Sequence, residues 1–139
     1  MRYLGLDLGT KTLVIEISDK TNFLASPLKT LRFEENKYEE LIPELLEIIN
    51  EYKITEIALG LPKNMDSSEG FAANRSKTFS DLLKEHIDIP ITFIDERLSS
   101  VEAHNILFNL GKNNQKRKKV VDEIAATIIL ENFMKKRGN

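Results

Sequence analysis

The sequence predicts an α/β fold in which three β-strands come first and two further strands then alternate with helices. Two observations support this prediction. Up to residue 32 the apolar residues recur with a period of two, as in β-strands, and from residue 41 they recur at helical spacing. A length of 139 residues is that of one domain, and we expect residues 1–139 to form it.

The first three strands are predicted to form an antiparallel meander. The apolar segment RYLGLDLGTKT, which contains Asp7, is the first of them. In the next segment, Leu13, Ile15 and Ile17 alternate with Val14, Glu16 and Ser18, as in a β-strand. Residues 19–22 are typical of a turn. A third strand is then expected around residues 24–32.

Helices and strands alternate after this meander. Apolar residues between 41 and 52 mark one face of a helix, which Pro43 requires to begin close to that residue. A short buried strand is predicted at 55–59, a second helix over 71–86, and a further strand at 91–94. This order completes five strands.

The last third of the sequence predicts two helices. Ser99 and Glu102 have the spacing of a capping box, and Gly111 would close the first helix. We expect a basic loop to follow, and then a C-terminal helix that carries Asp122. The small residues Ala125 and Ala126 would let that helix approach the sheet closely, so that Asp122 lies over the strand ends. Three aromatic residues are expected in the core: Phe71, Phe79 and Phe133.

The overall charge does not predict a nucleic-acid-binding protein, because the net charge is −2 and the pI is near 5.8. The distribution of charge is more informative. Five cations with no acid among them lie at Lys112 and in the run Lys116, Arg117, Lys118 and Lys119, and a second cluster lies at 135–137. Such a run is usually a solvated surface, but this one leads directly to Asp122.

Composition limits the kinds of site that the chain can form. Without cysteine there are no disulfides, thiolate zinc sites or cysteine nucleophiles, and oxygen ligands remain, which favour Mg²⁺ or Mn²⁺. No apolar run approaches the roughly 20 residues that span a bilayer, and no signal peptide is recognised. We therefore expect a cytoplasmic protein without a membrane partner.

Four acidic residues lie within apolar segments that are far apart in the sequence: Asp7, Asp95, Glu96 and Asp122. A carboxylate at the end of a buried strand loses hydration, and neighbouring carboxylates repel one another unless a cation lies between them. This pattern indicates a metal site. Each acid also has a structural explanation, because Asp7 could start a turn, Asp95 could lie beside a helix cap and Asp122 could interact with a helix dipole.

Four segments, GLDLGTKT, GLPKNMDSSEG, IDERLSSVEAH and VVDEIAATIILENF, resemble in order the motifs of the YqgF (RuvX) family. That family is described as pre-16S rRNA nucleases and as Holliday-junction-resolvase-like proteins with an RNase H-like fold. The resemblance implies a five-stranded mixed sheet, an antiparallel meander followed by parallel strands, flanked by helices. It also implies metal-binding carboxylates on the first strand, after the DER strand and on the last helix.

The chemistry of phosphodiester hydrolysis agrees with this implied site, because shared carboxylates can hold two divalent cations around a scissile phosphate. Asp7 would bridge the cations from the carboxyl end of a central strand, and Asp122 would approach from the helix. For the third ligand we favour Glu96 over Asp95, since the resemblance points to the DER glutamate and its side chain is longer. Asp95 remains an alternative catalytic acid.

Several cationic and amide side chains are candidates for contacts with nucleic acid. Lys11 follows Gly9 in a turn that could approach a phosphate, and Asn64 could hold a nucleotide or a neighbouring loop. Arg75 could pair with an acid or contact phosphates, and Arg97 could clamp the scissile phosphate or form a salt bridge. The basic run from Lys116 to Lys119 completes this set.

The sequence departs from the family pattern near the first acid. The family commonly has Gly-x-Lys-Arg-Ile-Gly-Val-Ala there, whereas Thr12 and Val14 replace the arginine and the second glycine in this chain. Ser67 replaces another glycine in the Asn-Met-Asp-Gly segment. These changes leave the proposed ligands intact, but they put in question one phosphate contact and the catalytic competence of the site.

The sequence leaves several functions open. A metal-dependent endonuclease could mature the 5′ end of pre-16S rRNA, with ribosomal particles as one partner, or resolve four-way DNA junctions. A monomer suffices for the first activity, whereas symmetric junction cleavage needs a homodimer. A noncatalytic RNA-binding factor for ribosome assembly would use the basic run alone. The segment DLGTKT also resembles the first phosphate loop of sugar kinases and actin-like ATPases, but those enzymes close two such domains around ATP.

Overall fold

The computed structural model describes residues 2–21, 24–62, 70–95 and 114–136, without the side chains of residues 114–122 and 125. A 3₁₀ turn, Tyr38–Leu41, precedes the first helix. The strands and helices within these ranges are β1 Arg2–Leu8, β2 Thr12–Ser18, β3 Ala25–Arg32, α1 Ile42–Tyr52, β4 Ile54–Leu61, α2 Phe71–Lys84, β5 Ile91–Asp95 and α3 Asn114–Lys136.

The strands form one five-stranded mixed sheet in the order β3-β2-β1-β4-β5. Strands β1, β2 and β3 pair in antiparallel fashion, whereas β4 is parallel to both β1 and β5. The predicted α/β fold and mixed sheet are therefore confirmed. This topology brings the carboxyl ends of β1, β3, β4 and β5 to the same edge, which we call the carboxyl edge.

Helices cover both faces of the sheet. Alternate residues of β1, among them Leu4 and Leu6, face α1 and α2 in the larger core, to which Leu45 and Phe79 belong. The other face packs against α3 through a smaller cluster: Ala58, Ile94, Ile129, Leu130, Phe133 and Met134. The meander is thus covered on both sides. No helix in the described ranges is long and apolar enough to span a membrane.

Helix α3 approaches the sheet closely at Gly5. A Cβ atom at this position would lie 2.9 Å from Cβ of Leu130, closer than side-chain atoms normally pack. Further along the helix, the ring of Phe133 packs edge-on against Tyr3, with the centroids 5.2 Å apart. Small residues permit this approach on both elements, namely Gly5 on β1 and the fully buried Ala126 on α3. The sequence pointed to the alanines of the helix but not to Gly5.

The direction of α3 follows from these two contacts. Leu130 lies over Gly5 and Phe133 lies against Tyr3, so α3 runs opposite to β1. The earlier residues of α3 therefore lie toward the carboxyl edge.

The start of α3 differs from the sequence prediction. The helix begins at Asn114, so Lys116, Arg117, Lys118 and Lys119 lie in its first turns instead of in a loop. The physical reason is that lysine and arginine have high helix propensity and that the segment contains no glycine or proline. The helix predicted to end at Gly111 lies outside the described residues.

Phe71 was predicted to be buried, and this is wrong, because its side chain is 92% exposed. It is the first residue of α2, and the buried face of that helix begins only at Ala73. Phe79 and Phe133 are buried, at 0% and 2% exposure, as predicted. Strand β4 is also longer than expected, since its pairing with β5 continues through Leu61.

Candidate metal and nucleic-acid site

Asp7 is the penultimate residue of β1 and lies opposite Val14 of β2, next to the carboxyl edge. Side chains alternate along a strand, so Asp7 lies on the same face as Gly5, which is the face that α3 covers. Its side chain is only partly buried. A carboxylate at the carboxyl edge of a central strand has the position in which open α/β sheets bind ligands.

Of the two adjacent acids, the structure describes Asp95 but not Glu96. Asp95 ends β5 and is exposed, and the preceding Ile94 packs in the cluster beneath α3. By alternation Asp95 therefore belongs to the face opposite to that of Asp7. Glu96 lies outside the described residues.

Asp122 lies within α3, although its side chain is not described. It precedes Leu130 by eight positions, about 12 Å along a helix, while Asp7 follows Gly5 by two positions, about 7 Å along a strand. Both residues are thus on the carboxyl-edge side of the contact between Leu130 and Gly5. The two elements bring them toward the same end of the α3 interface.

Glu16 is an acidic residue of this interface that the sequence analysis did not single out. Its side chain is fully buried between β2 and α3, and Thr127 of α3 lies within hydrogen-bonding distance, with 3.0 Å between Oγ1 and Oε2 of Glu16. In β2, Glu16 alternates with Leu13, Ile15 and Ile17, and the sequence therefore placed it on the less apolar face of the strand. The apolar side of the C-terminal helix was the one sequence pattern that indicated a covering for this face.

The interface also concentrates negative charge. Burial and, to a smaller extent, the nearby carboxylates of Glu123, Asp7 and Glu131 together raise the pKa of Glu16 from 4.5 to about 7, against the opposing effect of the hydrogen bond with Thr127. Oxygen donors in a region of negative potential suit a hard divalent cation. Among the described residues, no three acids or histidines form a metal-binding group, so the ligand set stays a prediction.

The candidate nucleic-acid contacts lie in different parts of the molecule. Lys11 is exposed in the tight turn between β1 and β2, where the amide of Gly9 donates to the carbonyl of Thr12 over 2.8 Å. This turn is at the carboxyl edge, beside Asp7. The basic run of α3 begins the helix that comes from the same edge.

Arg75 lies on α2, on the other face of the sheet. Its Nε atom is buried and has no hydrogen-bond partner within the described ranges, and its positive charge lowers the pKa of Tyr38, which burial raises. Asn64 and Arg97 lie outside the described residues, so their predicted roles stay predictions.

Curated relatives resemble the chain over almost its full length. A protein of Lactobacillus johnsonii named "Putative pre-16S rRNA nuclease" is 41% identical over 136 residues, which cover 96% of this chain and 95% of that protein. A Geobacillus protein of the same name is 40% identical over 134 residues, which cover 96% and 97%.

Solved structures of resolvases share the fold. RuvC of Thermus thermophilus in complex with a Holliday junction substrate matches with a TM-score of 0.57 at 11% identity, over 100% of this chain and 97% of that one. A fowlpox virus resolvase in complex with Holliday junction DNA matches with a TM-score of 0.55 at 13% identity, over the whole of both chains. These matches confirm the RNase H-like fold. Residues 1–136 also match the family described as "RuvX: Holliday junction resolvase", and the chain therefore belongs to the RuvX family.

Proposed function

We propose that this protein is a metal-dependent endonuclease that hydrolyses phosphodiester bonds in structured nucleic acid, and that it matures the 5′ end of pre-16S rRNA. The observation that carries the proposal is the position of Asp7, at the carboxyl edge of the central strand and on the acidic face beneath α3. Membership of a family of nucleases supports the activity, and the names of the relatives support the substrate.

The proposed ligands are Asp7, Glu96 and Asp122. Between the two adjacent acids we choose Glu96, because Asp95 belongs by alternation to the opposite face of the sheet. Mg²⁺ or Mn²⁺ bound by these carboxylates would activate the attacking water and stabilise the leaving oxygen.

The protein's own side chains would position the substrate. Lys11, exposed beside Asp7, would bind a phosphate next to the scissile one. The basic run in the first turns of α3 would bind the nucleic-acid backbone further from the cleavage point. Because these contacts are electrostatic, substrate affinity should fall steeply as the salt concentration rises.

Holliday junction resolution is a second candidate function, since the family is described by that activity. It would require a homodimer with two sites related by a two-fold axis. For rRNA maturation we propose that residues 1–139 act as a single domain in the cytoplasm, on free precursor RNA or on ribosomal particles.

Cleavage assays on two substrates test the proposed function. We expect a precursor RNA that spans the 5′ end of 16S rRNA to be cut in Mn²⁺ or Mg²⁺ and left intact in EDTA. A four-way DNA junction at the same concentration should be cut more slowly. Faster cutting of the junction would favour the resolvase, and binding of RNA without cleavage in any metal would favour a noncatalytic assembly factor.

A further inference from the structure

Glu16 lies at the interface between α3 and the sheet, beside an apolar cluster formed by Ala58, Ile94, Ile129, Leu130, Phe133 and Met134. It is fully buried, and its Oε1 atom has no hydrogen-bond partner among the residues that the structure describes. Burying a carboxyl in this way is unfavourable unless it is neutral or well hydrogen-bonded. The one hydrogen bond found for it among the described residues joins it to Thr127 on α3.

Thr127 connects Glu16 to helix α3. Its Oγ1 lies 2.9 Å from the carbonyl oxygen of Glu123, one helical turn earlier, and 3.0 Å from Oε2 of Glu16. In both contacts the hydroxyl is the donor, so its one hydrogen is shared between the oxygens of Glu123 and Glu16.

The hydrogen bond from Thr127 to Glu16 joins β2 to α3 at a fixed position along the helix. Oε2 of Glu16 can accept this bond whether or not Oε1 carries a proton. Donation by Thr127 favours the ionised carboxylate, but burial and the charges of Asp7 on β1 and of Glu123 and Glu131 on α3 outweigh it and raise the pKa of Glu16 to about 7.

The position of this bond matters for the proposed metal ligand. Thr127 follows Asp122 by five residues, about 7.5 Å along α3. The contacts of α3 with Gly5 and Tyr3, made by Leu130 and Phe133, are apolar and do not by themselves fix the rotation and register of the helix as a directional bond does. A small shift of α3 would move Asp122 relative to Asp7.

We propose that Glu16 and Thr127 are a positioning pair, which fixes the register of α3 against β2 and thereby holds Asp122 in place for metal binding. The part that concerns metal rests on the proposed function, whereas the fixing of α3 does not. Neither residue needs to touch the substrate. The pair acts through Asp122.

Matched variants at the two positions test this role. Thr127→Val removes the hydroxyl at similar volume, and Thr127→Ser keeps it. Glu16→Leu removes both polar oxygens, and Glu16→Gln keeps a side-chain oxygen that can accept from Thr127. Ser80→Ala is the control, because Ser80 is a buried hydroxyl of α2, on the other face of the sheet, and no described residue forms a hydrogen bond with it.

We expect Thr127→Val and Glu16→Leu to raise the Mn²⁺ concentration for half-maximal cleavage by about 10-fold or more. Loss of a residue that orients a metal ligand commonly weakens metal affinity by this factor. The maximal rate should fall, while KM for the nucleic acid stays unchanged. Thr127→Ser, Glu16→Gln and Ser80→Ala should behave like the wild type. If Thr127→Val and Thr127→Ser need the same Mn²⁺ concentration for cleavage, the pair does not position Asp122.

Amide hydrogen exchange in α3, measured without metal, separates this inference from the proposed function. We expect the amides of residues 123–134 to exchange faster in Thr127→Val than in Thr127→Ser, even if the wild type cleaves nothing. Equal exchange in the two variants would overturn the proposed fixing of the helix. Circular dichroism of each variant verifies that folded proteins are compared. Thr127→Ala serves as a second variant that lacks the hydroxyl.

Discussion

Replacement of Asp7 by asparagine should abolish cleavage. We expect Asp7→Asn to lower the single-turnover rate in saturating Mn²⁺ by about 10³-fold or more, because an amide has neither the charge nor the second oxygen needed to hold the cations. Binding of the nucleic acid should be retained, since removing a negative charge from the carboxyl edge reduces repulsion of phosphate. Rates and equilibrium binding are measured on the same labelled precursor RNA.

Asp81→Asn is the matched control for this variant. Asp81 is an exposed acid of α2, the helix on the other face of the sheet, and the exchange removes the same charge. It should leave the rate unchanged. An Asp7→Asn protein that keeps more than a small fraction of the wild-type rate would show that Asp7 does not hold the catalytic metal.

A pH-dependent change in stability is the second large effect that we expect. Glu16 has a pKa of about 7 in the folded protein and 4.5 ordinarily, so between these values the folded state binds the proton that the unfolded state has lost. The stabilisation from this proton is complete below pH 4.5 and is lost as the pH rises through about 7. Glu16→Gln cannot titrate and should lack this loss.

Urea unfolding of the wild type and Glu16→Gln at intervals from pH 5 to pH 8 measures this effect. The free energy of unfolding of the wild type should fall relative to that of the variant by about 3 kcal/mol across this interval, as an upper value for a shift of this size. Glu47→Gln, at an exposed site of α1, controls for the loss of one acid. A difference between wild type and Glu16→Gln that is constant with pH would contradict a neutral Glu16.

The fold could be predicted largely because each strand and helix shows a clear local pattern. The alternation at 13–18 and the helical spacing after Leu41 predicted the order of strands and helices. The resemblance of four segments to the RuvX family implied the five-stranded mixed sheet. The errors arose where local patterns do not decide. The start of α3 follows from the helix propensity of a charged run, and the exposure of Phe71 follows from its place before the packed face of α2.

The site was predicted less completely, for reasons of tertiary structure. Asp7 was recognisable because an acid interrupts an apolar strand. Glu16 was not, because a glutamate in an alternating strand is expected to face solvent, and only the packing of α3 shows that it is buried. The face of the sheet to which Asp95 belongs is likewise known only from the packing of the preceding Ile94, which the sequence alone does not give.

The central claim is that three carboxylates distant in sequence share divalent cations at the carboxyl edge of the sheet. A crystal structure of the protein with Mn²⁺, in which anomalous scattering locates the metal, tests it most directly. We predict Mn²⁺ in contact with carboxylate oxygens of Asp7, Glu96 and Asp122, and its loss in Asp7→Asn crystals. Manganese bound elsewhere, or the three carboxylates directed into separate regions of solvent, would contradict the claim.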